Sequence, residues 1–168
     1  MAILDILLYP DKALTVECEE VKEIDQETLK FLDDLAETMY FAEGVGLAAP
    51  QVGVTKQITV IDVEPQNQGS SLIELINPKI IEHQGKQLKR SEGCLSFPKI
   101  YEPVSRYERV VVEALNRKGE VFTIEADGLL AVALQHEIDH LKGILFIDYL
   151  GSFRQSMIKR KMKKLKKR

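Results

Sequence analysis

The strongest constraint on how this chain can fold is the pentapeptide His136-Glu137-Ile138-Asp139-His140. On a helix, positions four apart lie on one face, a single turn apart. The apolar neighbours Leu134 and Leu141 fit a buried helix. Helical patterning runs from about Gly128 to Lys142, with Gly143 as a natural stop. The fold must therefore enclose a helix that carries four ionisable side chains in five residues. In that geometry His136 and His140 can share one metal ion, and Glu137 points toward the water bound to it.

The same pattern also arises by chance in charged helices, so a further ligand is the test. A catalytic site of this type uses three protein ligands and keeps a position open for water. Downstream the chain offers none. Gly143 matches the glycine of the extended pattern H-E-x-x-H-x-x-G-x-x-H, but Phe146 stands where its last histidine belongs. No glutamate follows His140, and Asp148 is the only acid there. This argues against a metalloprotease and sends the search upstream. Cys94 is the strongest candidate, because a thiolate binds such metals tightly. His83 and Cys18 are alternatives without a supporting motif.

The 168 residues suit one domain spanning 1–168, and 45% hydrophobic content is enough for a core. No apolar run approaches the roughly 20 residues needed to cross a bilayer, so no membrane association is expected. The opening Met1-Ala2-Ile3-Leu4-Asp5 lacks the basic and long apolar segments of a signal peptide. The expected location is cytoplasmic, where the two cysteines stay reduced. Charge is uneven: nine of the 23 basic residues, and none of the 26 acidic ones, lie between Gly151 and Arg168. Such asymmetry points to a polyanionic partner.

An amphipathic helix is expected from Asp25, a suitable N-cap, to about Phe41, with Leu29, Leu32, Leu35, Ala36, Met39 and Tyr40 at helical spacing. Short strands are expected at Gln57–Val63, Leu72–Ile76 (closed by Asn77-Pro78), Lys79–Glu82, Arg109–Leu115 and Val121–Ala126, with a turn at Asn116–Gly119. Short connections favour antiparallel pairing. A last, basic helix is expected over 152–168. The fold class is α+β: short antiparallel sheets around a central metal-binding helix, with an N-terminal helix and a C-terminal helix.

Three segments occur in order: Gly44-Val45-Gly46-Leu47-Ala48-Ala49-Pro50-Gln51, then Glu92-Gly93-Cys94-Leu95-Ser96, then Gln135-His136-Glu137-Ile138-Asp139-His140. The triplet strongly resembles the peptide deformylases, whose signatures read G-x-G-L-A-A-x-Q, E-G-C-L-S and Q-H-E-x-D-H. The likeness extends over nearly the whole chain and is closest to the short, uninserted bacterial type with a C-terminal helix. It implies a metal-dependent hydrolase that removes the formyl group from the N-terminal formylmethionine of new proteins and releases formate. Cys94, His136 and His140 would hold one divalent metal, natively Fe(II), with zinc, nickel or cobalt able to substitute. Water made acidic by the metal would attack the formyl carbon, with Glu137 as general base and then acid.

The resemblance further implies that the Gln51 amide and the Leu95 backbone N–H stabilise the developing oxyanion. Val45, Gly46 and Gly93 would belong to the substrate-binding segments, the glycine-rich one pairing with the substrate backbone as an added strand would. A phosphate-binding loop is the competing reading of Gly44 and Gly46, but no Lys-Ser/Thr follows them. On the helix, Leu129, Val132 and Ala133 share a face with His136 and His140, so they can flank the methionine side chain; ordinary core packing is the plainer reading. Val45 would close that pocket. Glu92 and Asp139 are candidates for orienting the site, and Arg106 could pair with one of them. By the same resemblance, the basic helix would bind the ribosome. A monomer is expected. A non-catalytic RNA-binding module would require a missing catalytic group, and Cys94 and Glu137 are both present.

Overall fold

The computed structural model describes residues 2–166, the last by its backbone alone. Met1, Lys167 and Arg168, and with the last two the end of the expected basic helix, lie outside the described residues. Five strands form one antiparallel sheet in sequence order: β1 (Gly46–Ala48), β2 (Ile58–Ile61), β3 (Ile73–Cys94), β4 (Phe97–Leu115) and β5 (Val121–Asp127). Three helices accompany it: α1 (Gln26–Phe41), α2 (Gly128–Leu141) and α3 (Ser152–Lys166). The α+β class read from the sequence is the one observed.

The strands differ from that reading in length. Leu72–Ile76 and Lys79–Glu82 are separate strands in the sequence reading, but Ile73–Ile76 and Lys79–Glu82 both fall within the 22-residue β3, with Leu72 just before it, and β3 pairs with the 19-residue β4. Asn77-Pro78 does not end the strand. Asn77 takes φ of 52°, and the register shifts between Ile76 and Lys79, so a bulge absorbs the proline without a break. The charged outer half of this hairpin, around Lys86–Arg90, is exposed and offers no apolar alternation from which to read a strand.

Each helix covers part of the sheet. Asp25 caps α1, its carboxylate accepting the Thr28 N–H at 2.9 Å, and Leu32, Leu35, Ala36 and Met39 pack on Leu47, Ile58, Val60 and Ile76. Helix α2 is buried on nearly every side from Ala131 to Leu141, with Ala131, Leu134 and Ile138 against Leu75, Val110 and Val112. Each leucine, isoleucine or valine of this set contributes about 1.5–3 kcal/mol by leaving water. A helix so enclosed must satisfy its polar groups internally. Gln135 does so by clasping the Tyr107 backbone, its Oε1 accepting from Tyr107 N and its Nε2 donating to Tyr107 O, each at 2.9 Å. Helix α3 is seated by Ile158 and Met162, which are buried with Leu14, Phe97 and Phe146. Its exposed face carries Lys159, Arg160, Lys161, Lys163 and Lys164. No described helix is long and apolar enough to cross a membrane.

Candidate metal centre and active site

Three chain segments meet at one point. Helix α2 supplies His136, Glu137 and His140. The tight end of the β3–β4 hairpin supplies Cys94, the last residue of β3, with Leu95 and Ser96 forming the turn. The third segment is β1 and the 3-10 turn Ala49–Val52, which carries Gln51. Of the three upstream candidates for a third ligand, only Cys94 joins the histidines: the donor atoms of Cys94, His136 and His140 lie within 4.8 Å of one another. Cys18 is buried elsewhere beside Ala48 and Leu141, and His83 stacks on Tyr107 at the exposed hairpin.

The donor set fits a divalent metal. Cys94 Sγ and His140 Nε2 are 3.4 Å apart. His136 Nδ1 lies 2.9 Å from Glu92 Oε1, and a carboxylate can only accept, so the proton sits on Nδ1 and the Nε2 lone pair is left for a metal. Burial holds His140 well below the ordinary imidazole range, which keeps it neutral as a ligand must be. Burial acts the same way on His136, but hydrogen bonds with Cys94 and Glu92 and the charge of Glu137 outweigh it and raise the group well above its usual value. The surroundings of His136 thus favour a positive charge. Burial lifts the Glu137 carboxyl to about 7. Its Oε1 is buried without a hydrogen-bond partner, and a nearby cation would pull that carboxyl down again.

Behind the ligands lies a closed ionic network. Arg106 grips Glu92 through two bonds, Nε to Oε2 at 2.8 Å and Nη2 to Oε1 at 2.9 Å, and reaches Asp139 Oδ2 with Nη1 at 2.6 Å. It therefore pairs with both acids, where the sequence had left the choice open. Burial would raise Glu92, but bonds from His136 and Arg106 keep it below the ordinary carboxylate range. Tyr149 completes the set: its hydroxyl donates to Asp139 at 2.7 Å, and its ring lies under the Arg106 guanidinium at 4.8 Å. Tyr149 carries no motif signal in the sequence.

The motif glycines make room for side chains. A Cβ on Gly46 would lie 2.6 Å from Glu137 Oε2, one on Gly44 2.6 Å from Leu95 Cδ1, and one on Gly93 2.6 Å from Tyr101 Cε1. None of the three has positive φ. Their role here is close approach, and at Gly46 the close neighbour is the glutamate itself.

These groups border a cavity of about 480 Å³. Val45, Gly46, Gln51, Gly93, Leu95, Leu129, Val132 and Ala133, all singled out from the sequence, line it with His136 and Glu137. Leu129 is 52% exposed and sits at the rim, while Val132 and Ala133 are buried deeper. Tyr101, Ile100 and Ile6 also line the cavity and were not anticipated. Only the β3–β4 register, which pairs Gly93 with Tyr101, reveals the first two. Strand β1 is at the sheet edge, paired on one side with β2.

The sequence profile of the polypeptide deformylase family matches residues 3–156. A peptide deformylase of Thermodesulfovibrio yellowstonii is 50% identical over 163 residues, covering 97% of this chain and 98% of that protein. Among solved structures, a peptide deformylase from Legionella pneumophila superposes with a TM-score of 0.93 at 42% identity, covering 98% of this chain and 96% of its own. One from Ehrlichia chaffeensis in complex with actinonin gives 0.91 at 42% identity, covering 98% of each chain. The chain belongs to the polypeptide deformylase family, metal-dependent enzymes that remove the formyl group from N-terminal methionine.

Proposed function

We propose that residues 1–168 act as a single catalytic domain in which Cys94, His136 and His140 hold one divalent metal, natively Fe(II), with zinc, nickel or cobalt as substitutes. When bound, the metal would polarise the formyl carbonyl and make water acidic near neutral pH. The chain's own groups supply the rest. Glu137 takes the proton of the attacking water at its unpartnered Oε1 and returns it to the leaving amine. The Gln51 amide and the Leu95 N–H hold the oxygen that gains charge. The substrate backbone pairs with the edge strand β1 near Val45 and Gly46 and passes Gly93, as an added strand would. The methionine side chain enters between Val132 and Ala133, with Leu129 and Val45 at the rim. An unbranched thioether suits such an apolar slot. The Ehrlichia chaffeensis relative was solved in complex with actinonin.

The observation that carries this reading is the convergence of three donor atoms within 4.8 Å beside a buried, unpartnered carboxylate oxygen. The test is metal analysis of anaerobically purified protein together with formate release from formyl-Met peptides. Cys94→Ser should lower metal content and activity in parallel, and full metal retention by that variant would contradict the ligand assignment. The chain acts as a cytoplasmic monomer that meets nascent chains at the ribosome through α3. Five exposed cations along that helix support it, since clustered cations favour a phosphate backbone without demanding sequence.

A further inference from the structure

We propose that Ser96 is a positioning residue for catalysis: its hydroxyl oxygen takes one Gln51 amide proton and thereby aims the other into the cavity. This rests on the reading of Gln51 as the donor to the formyl oxygen.

Gln51 is 1% exposed, and its side chain makes three polar contacts. Its Oε1 accepts from the backbone N–H of Ala48 at 3.0 Å. That contact fixes which end of the amide is oxygen, because the reversed amide would set N–H against a buried N–H. Its Nε2 lies 3.1 Å from Ser96 Oγ and 3.5 Å from Cys94 Sγ. An amide nitrogen carries two protons in fixed directions within the amide plane. Ser96 is fully buried and does not border the cavity, whereas Gln51 and Cys94 do. With one proton spent on Ser96, the other is directed to the side where Cys94 and the substrate lie. The serine is itself held in the hairpin turn, its carbonyl accepting the Tyr9 N–H at 3.1 Å.

Torsions that end in a planar amide are soft, so a glutamine side chain aims poorly unless its ends are tied. Ser96 and Ala48 tie both ends of this one. Without the hydroxyl, the Nε2 group would have a buried, unsatisfied proton and a reason to rotate away from the cavity.

The experiment is a double-mutant cycle on formate release. Ser96→Ala should lower kcat on the order of tenfold with KM nearly unchanged, within the roughly 10²–10³-fold that loss of an oxyanion donor costs. In a Gln51→Ala background, Ser96→Ala should cost no further kcat, because the group it aims is gone. In the ¹⁵N-labelled, zinc-loaded protein, the Gln51 side-chain amide protons should exchange slowly and speed up on the order of tenfold in Ser96→Ala. Unchanged kcat in Ser96→Ala, a full additive loss in the double variant, or fast exchange in the parent protein would overturn the proposal. If Gln51→Ala alone leaves kcat intact, the reading of Gln51 fails first and carries this inference down with it.

Discussion

Replacing Gly46 by alanine tests the site at its tightest point. The added methyl would meet Glu137 Oε2 at 2.6 Å, Cδ at 3.0 Å and Cγ at 3.1 Å. Oxygen must retreat by roughly 0.8 Å to reach ordinary contact distance. Glu137 is 5% exposed and crowded at three atoms, so its side chain cannot simply swing into solvent. Two costs follow. Overpacking should cost about 1–3 kcal/mol of stability. A displacement near 1 Å at the proton-transferring carboxylate should lower kcat on the order of 10²-fold. The three atoms nearest the added methyl all belong to Glu137 and none to Cys94, His136 or His140, so metal content should stay normal. Formate release, metal analysis and a melting curve on one preparation separate these effects. Gly151→Ala is the control, since a Cβ there meets nothing within 4 Å. Wild-type kcat in Gly46→Ala would refute the claim that glycine stands there for Glu137. A rise in KM alone would instead assign the position to substrate pairing.

Glu137→Ala should retain the metal but lose formate release by on the order of 10²-fold or more, measured as single-turnover rates at equal metal loading. Arg106→Ala should destabilise the fold by about 3–5 kcal/mol in urea unfolding, because it leaves Glu92 and Asp139 as uncompensated charges where both the arginine and Glu92 are 4% exposed at the side chain. Removing the segment from Lys159 onward deletes the buried Met162, so a loss of about 2–5 kcal/mol is expected alongside near-normal turnover of short formyl peptides at low temperature. The same truncation should weaken ribosome co-sedimentation, and binding by the full chain should fall steeply with salt; equal, salt-insensitive sedimentation of both forms would leave α3 a structural element only.

The sequence by itself determined the helices and the chemistry carried within single segments. The period of Leu32, Leu35 and Met39, the Asp25 cap and the four-residue spacing of His136 and His140 are local, because helix geometry repeats every few residues. The family signatures were legible for the same reason. Tertiary structure decided everything that depends on distant residues meeting. It brought Cys94, rather than His83 or Cys18, to the histidines across a separation of more than forty positions. It joined Arg106 to both Glu92 and Asp139, and it added Tyr149. It merged separate short strands into one long hairpin across Asn77-Pro78, because cross-strand pairing can absorb a bulge that local propensity reads as a stop. The motif glycines gained their reason only in three dimensions: a missing Cβ leaves no trace in a sequence of what occupies its place, and at Gly46 that occupant is Glu137.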